Sequence, residues 1–446
     1  MKQSQIFIIL VSCNVVCNLA MSIIAPFYPQ FAKSRDISED IIGIIFAAHP
    51  LGQFISSLIL GKVITHENRQ KIMVIGISQQ GLGLLMFGFL YYFESYWVVL
   101  LGSFLARLIG GIGASMFMTP FYAFIPQLFP KQIEEKIAIA EVSTSIGFLA
   151  GPILGSALYQ LGGFILPFFF FAACSFGLAV LLIVFSKSLD VPEVDLSQSI
   201  ILHQSIQNQE SIIDADFSIS YLTLLCNYPV VISFITNTLT LSLWTFYNPT
   251  IAIYLLEQYD IQEEYSGYWI SINAATFGVS TIFISKIKSH KKYFMYFGLV
   301  ISGLLQFYMG PDYSFTNLNP RLLYTMLAWS IVGFTAGFPY VLTLPQLNQI
   351  LIKDYSKYPT QCANIASAMY VPKIYSSFNS SLAGGELFGP ILGGYLTKWY
   401  GFQRSASLLG FAVLICCVCY IPYLFYLDEK LARIKAKKSK KVGLKE

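Results

Sequence analysis

Ten stretches of this chain carry no Asp, Glu, Lys or Arg, and their lengths decide what it can fold into. They are residues 3–32, 41–61, 72–93, 108–130, 142–186, 217–256, 265–285, 293–311, 322–352 and 405–427. A helix of about 20 apolar residues crosses a bilayer core, and the runs at 142–186 and 217–256 are longer than one crossing needs. Only 12% of the 446 residues are charged and 55% are hydrophobic. A soluble fold cannot hide that much apolar surface. The runs do not alternate with period two, so they are not barrel strands. The expected class is an all-α membrane protein with many crossings.

The runs divide into twelve spans, at about 5–27, 40–62, 71–93, 97–124, 137–159, 164–186, 229–256, 265–286, 292–310, 322–345, 374–397 and 404–427. The first lacks a cleavage pattern and is expected to remain as span 1. With the N-terminus in the cytosol, 22 of the 28 Lys and Arg fall on the cytosolic side. Lys33, Arg35, Arg321, Lys398 and Arg404 fall opposite, and Arg107 lies inside a span. That asymmetry predicts cytosolic termini. Charges sorted by side in this way form no basic face for nucleic acid. The polar stretch 187–227 separates a six-span bundle at 1–186 from a second at 228–427 and reads as a cytosolic linker, with a basic cytosolic tail at 428–446. None of the eight cysteines falls in a loop expected outside the cytosol, so no disulfide framework is expected.

The two halves repeat each other. Residues 147–164 and 385–402 are identical at ten of 18 positions. Earlier in each half, Asp40-Ile-Ile-Gly43 matches Glu264-Tyr-Ser-Gly267, and Pro26 answers Pro249. A six-plus-six duplication suits two bundles rocking about a site between them. Small residues at Gly147, Gly151 and Gly155, with Pro152 among them, let another backbone approach one face of span 5. Span 11 repeats the set as Gly385, Gly389, Pro390, Gly393 and Gly394. In span 4, Arg107 precedes a tight-packing segment at Gly110, Gly111 and Gly113.

This pattern resembles the major facilitator superfamily, which implies two six-helix bundles related by a pseudo-twofold axis. The span 5 glycine-proline motif and the Arg107-x-x-Gly110-Gly111-x-Gly113 string are similar to motifs of its drug and amine proton-antiporters. In those proteins the arginine faces the central cavity and helps to couple proton movement. Of the superfamily's loop 2–3 motif, Gly61, Arg69 and a trailing Lys71 are present, and Thr65 stands where the acid should be. Within the superfamily the likeness is to vesicular polyamine and amine transporters. It rests on Ala25-Pro-Phe-Tyr-Pro29, Ile41 to Phe46, Asn248-Pro-Thr250, Met309-Gly-Pro311 and Glu141 ten residues before Gly151.

Ionisable groups inside a bilayer call for a reason. Arg107 is one. Glu141, near the cytosolic end of span 5, can hold an ammonium group or a proton but not easily both. Glu386 in span 11 and His49 in span 2 share a depth, and these spans are neighbours in the superfamily fold, so a protonatable Glu386–His49 pair is expected. Asn379 is the repeat partner of Glu141, where some vesicular amine transporters have an acid. Asn14 and Asn18 stand in span 1, which also lacks one, and this disfavours a monoamine. Trp244 and Tyr247 in span 7, with Tyr340 in span 10, can offer cation–π faces. For each of these residues the plain alternative is packing or backbone hydrogen bonding.

No phosphate loop, zinc motif or nucleophile elbow is present, so neither an enzyme nor an ATP-driven pump is expected, and no metal or cofactor. The expected function is proton-coupled antiport of an organic cation, a polyamine or related amine, by a monomer in a vesicle or other acidic organelle membrane. Efflux or uptake of drugs or other small metabolites is the alternative within transport. A non-transporting sensor or scaffold is the alternative outside it.

Overall fold

A computed structural model describes residues 3–64, 68–129, 132–185, 227–284, 287, 289–312, 319–355 and 360–442. The helices of the first half are α1 (Gln3–Ser22), α2 (Tyr28–Lys33), α3 (Glu39–Val63), α4 (Arg69–Phe89), α5 (Tyr96–Leu128), α6 (Ile133–Gly162) and α7 (Ile165–Val184). Those of the second are α8 (Tyr228–Thr245), α9 (Ile251–Tyr259), α10 (Glu263–Ile284), α11 (Lys291–Met309), α12 (Leu322–Tyr355) and α13 (Thr360–Val442). Nine described stretches are long and apolar enough to cross a membrane. The last of them, Ser380–Phe425, turns at Gly401 and supplies two crossings. With α8–α9 and α11 the set reaches the twelve expected. The linker expected at 187–227 lies outside the described residues except for Asn227.

The repeat is visible in the backbone. Span 1 is not one helix but α1, a turn at 23–27 and α2; span 7 is likewise α8, a turn at 246–250 and α9. Proline causes both breaks, because it has no N–H to bond the carbonyl four residues back. The preceding residue takes that carbonyl instead: the Ala25 amide donates to Ser22 at 3.3 Å, and the Asn248 amide to Thr245 at 3.2 Å. Gly163 (φ 67) and Gly401 (φ 76) turn the chain out of spans 5 and 11 in the left-handed region that glycine tolerates.

Other ends differ from the hydropathy reading. Spans 10, 11 and 12 were expected to stop at the bilayer, yet α12 runs to Tyr355 and α13 begins at Thr360 and continues to Val442. A helix can continue into water after its apolar run ends, and hydropathy does not register that part.

Each half has its own apolar core. Phe27, Tyr28, Phe87 and Phe168 anchor one part of the first bundle, and Phe117, Phe121 and Phe124 another. Trp329, Tyr247, Tyr254, Tyr420 and Tyr423 anchor the second bundle. The bundles meet through repeat-related pairs. A Cβ at Gly43 of α3 would collide with the Pro390 carbonyl of α13, and one at Gly267 of α10 with the Pro152 carbonyl of α6. The motif glycines do the same within each bundle. Gly147, Gly151 and Gly155 admit α1 and the turn after it, and Gly385, Gly389 and Gly393 admit α8 and Phe246.

Candidate functional site

Polar contact between the described residues of the two bundles is one-sided. Among the described residues, every hydrogen bond and ion pair between them lies on the face away from the termini. Lys33 Nζ pairs with Glu257 at 2.9 Å and with Glu39 of its own bundle at 3.0 Å. Lys398 Nζ reaches Asp40 at 2.9 Å. The Tyr159 hydroxyl donates to Glu263 at 2.8 Å, and Ser266 Oγ to the Pro26 carbonyl at 2.9 Å. Gln30 Nε2 donates to the Ala252 carbonyl at 3.2 Å. The face is shut by a belt of polar contacts around the broken ends of spans 1 and 7.

Below that belt, four aromatic rings cross from one bundle to the other. Phe148 of α6 lies 5.1 Å from Trp244 of α8, Trp244 lies 5.1 Å from Phe277 of α10, and Phe277 lies 5.4 Å from Tyr340 of α12. Glu141 stands seven residues before Phe148 and so shares its helix face. The Tyr340 phenol lies within the fields of Glu141 and of Glu386, and of Tyr122 beside Glu141. One carboxylate from each bundle thus lies within electrostatic reach of the ring at one end of the row. Glu386 is half-buried and has no ion pair among the described residues.

The other candidates divide. Asn14 Nδ2 donates to Ser143 Oγ at 2.8 Å and to the Ala140 carbonyl at 3.1 Å; Asn18 Nδ2 donates to the Asn14 carbonyl at 2.8 Å. Both amides fasten α1 to α6 next to Glu141 and position the site. Tyr247 points elsewhere. It is fully buried in the core of the second bundle, where its hydroxyl donates to Gln306 and its ring meets Trp329 at 5.5 Å. No ring face is left for a ligand. Asn379 lies on α13, and its side chain is outside the described residues.

The expected Glu386–His49 pair is not formed. Spans 2 and 11 are neighbours, as Gly43 and Pro390 show, but the His49 ring turns into its own bundle, and a Cβ on Gly110 would stand 3.7 Å from it. Both ring nitrogens lack a partner. Gly111 lets the backbone of His49 come this close. Arg107 shares the place: His49, Arg107 and Gln80 line one small cavity in the first bundle. The ionisable groups therefore form two sites, not one.

In the loop after span 2, Thr65 lies outside the described residues, and Gly61 lies in the last turn of α3. Arg69 is buried with its guanidinium 4.1 Å from the Phe124 ring centre, which ties α4 to α5. Phe148, Phe277 and Tyr122 were not singled out by sequence reasoning. In a chain with 16% aromatics no single ring stands out; the signal that finds Phe148 is its seven-residue spacing from Glu141.

The sequence pattern of the Major Facilitator Superfamily matches residues 10–359 and 234–446. The chain is 24% identical over 444 residues to the MFS-type transporter SLC18B1 of Rattus norvegicus, covering 98% of this chain and 90% of that protein. It is 28% identical over 170 residues to the vesicular acetylcholine transporter of Mus musculus, covering 38% of this chain and 30% of that one. Among solved structures, a POT family transporter in complex with 5-aminolevulinic acid superposes with a TM-score of 0.67 at 15% identity, over 95% of this chain and 96% of the other. That likeness concerns the fold.

Proposed function

This chain belongs to the Major Facilitator Superfamily, and on that premise we propose that it exchanges protons for an organic cation with two or more amino groups, a polyamine or related amine. The coarser statement needs no proposal. The chain is a secondary transporter, an integral multi-pass membrane protein, and not an enzyme.

The observation that carries the finer reading is that Tyr340 lies within electrostatic reach of both Glu141 and Glu386. A carboxylate in a low-dielectric site binds an ammonium group or a proton, and each displaces the other. Two carboxylates on opposite bundles give two such choices, so a molecule with amines at both ends can engage both bundles at once. Trp244 and Tyr340 offer the ring faces that attract cations. Arg107 and His49 sit in a different cavity and belong in this reading to the proton side of the exchange, not to the cation.

The charge asymmetry of the loops places both termini in the cytosol. The belted face would then look into a lumen or the exterior, and a cytosolic amine would enter from the opposite side. Protons from an acidic lumen would discharge the carboxylates after the switch. That cycle suits a vesicle or other acidic organelle, and the vesicular acetylcholine transporter is a relative of this kind by name. The protein would work as a monomer, since each chain holds both halves of the site.

Purified protein in acid-inside liposomes should accumulate labelled spermidine and lose it when the pH gradient is dissipated. No uptake of spermidine under the gradient contradicts the proposal. Uptake of bulky drugs in its place would point to the multidrug type of transport.

A further inference from the structure

Arg107 is a buried cation without a counter-charge. It is 5% exposed, and none of the described carboxylates pairs with it. Its hydrogen bond is a long one, from Nη1 to the Met21 carbonyl at 3.5 Å, and its Nε has no partner. The Phe46 ring lies 5.9 Å away, and a ring face compensates only part of a full charge.

The groups around it are unpartnered as well. His49 is 2% exposed with both ring nitrogens free. The Tyr28 and Ser103 hydroxyls, each 0% exposed, lie beside one another outside the cavity lining and have no partner but each other. Gln80 donates through Nε2 to the Cys17 carbonyl at 3.0 Å and leaves Oε1 free. Buried polar groups are almost always satisfied, and a cluster of exceptions calls for an unseen occupant. The cavity shared by His49, Gln80 and Arg107 is small, with room for about one water or one monatomic ion. Its remaining walls are apolar, including Ile24, Leu84 and Phe87.

We propose that this cavity, with Arg107 and His49 as donors, binds a single monovalent inorganic anion of about chloride size. The donor set decides against the other occupants. A cation is repelled by the guanidinium, and an organic acid is too large. A lone water would satisfy some hydrogen bonds yet leave the charge uncompensated. Two side chains can donate, the guanidinium through its N–H groups and neutral histidine through one ring nitrogen. Gln80 Oε1 is the one acceptor in the set and is left for a water or an N–H. The site is separate from Glu141 and Glu386, so it does not depend on the cation reading.

The test is thermal unfolding of the purified full-length protein, read by tryptophan fluorescence, as sodium chloride replaces sodium gluconate at constant ionic strength. A saturable rise in Tm with chloride, reproduced by bromide, is expected. His49→Leu should raise the half-saturating chloride concentration at least about tenfold, the effect of one lost hydrogen bond to a charge. Arg107→Gln should abolish the chloride-dependent rise, and if that variant does not fold, the His49→Leu comparison decides alone. Identical Tm in chloride and gluconate means that water alone fills the cavity and overturns the proposal. A rise whose half-saturation is unchanged in His49→Leu places the anion elsewhere and overturns it too.

Discussion

Trp244 and Tyr247 stand three residues apart and face different surroundings. Trp244 is half-buried in the aromatic row between Phe148 and Phe277. Tyr247 is locked in the core by Gln306, Trp329 and Phe402. The same truncation should therefore act in different ways. Tyr247→Ala opens a core cavity and should destabilise the protein by about 3–5 kcal/mol, seen as a lower Tm. Trp244→Ala removes a cation–π face and should weaken amine affinity by about 1–2 kcal/mol while shifting Tm less. Binding unaffected by Trp244→Ala would remove the row from the site. Sequence reasoning reached Trp244, Glu141, Glu386 and Tyr340 through their type and depth. It could not separate Trp244 from Tyr247, because both sit in one charge-free run and only the break at 246–250 turns them apart. Nor could it tell that His49 faces Arg107 rather than Glu386, since depth along a helix says nothing about which side a ring takes.

At the scale of elements, the breaks in spans 1 and 7 and the glycine contacts between spans 2 and 11 and spans 5 and 8 hold the closed face together. Gly43 and Gly267 meet backbone carbonyls, which cannot rotate away as a side chain can. Gly43→Ala and Gly267→Ala should oppose this closed arrangement by about 1–3 kcal/mol each, the range for overpacking. The expected readout is slower spermidine uptake at unchanged membrane insertion, and full-rate uptake in both variants would show that the contact carries no part of the cycle. The spans themselves were legible because a bilayer demands an uninterrupted apolar run. The paired prolines marked the symmetric breaks but not their extent. The water-exposed ends of α12 and α13 left no apolar signature.

For the whole molecule, the belt on the face away from the termini defines the state. Burial opposes the charge of Lys33, but its hydrogen bonds to Glu257 and Glu39 outweigh it and hold its pKa above the usual lysine range. A raised pKa means that its contribution is fully present below the ordinary lysine value and fades only as pH climbs through the raised one. The ammonium thus stays charged through the pH range of cell and organelle. Because Lys33 bridges α2 and α9, cross-linking Lys33→Cys to Glu257→Cys with a short reducible thiol reagent should lock that face. Uptake should fall to background and return on reduction; uptake that survives the cross-link would mean that the belt does not open in transport.

The central claim is that carboxylates of opposite bundles share one substrate. It is tested most directly by competition against labelled spermidine uptake, comparing an α,ω-diamine with a monoamine of the same chain length. In the wild type the diamine should compete at least about tenfold better, since a second charge-assisted contact contributes about 1.5–3 kcal/mol. Glu141→Gln and Glu386→Gln should each reduce that advantage to near one. Equal competition by the two amines in the wild type, or a diamine preference that persists in both variants, would contradict the account.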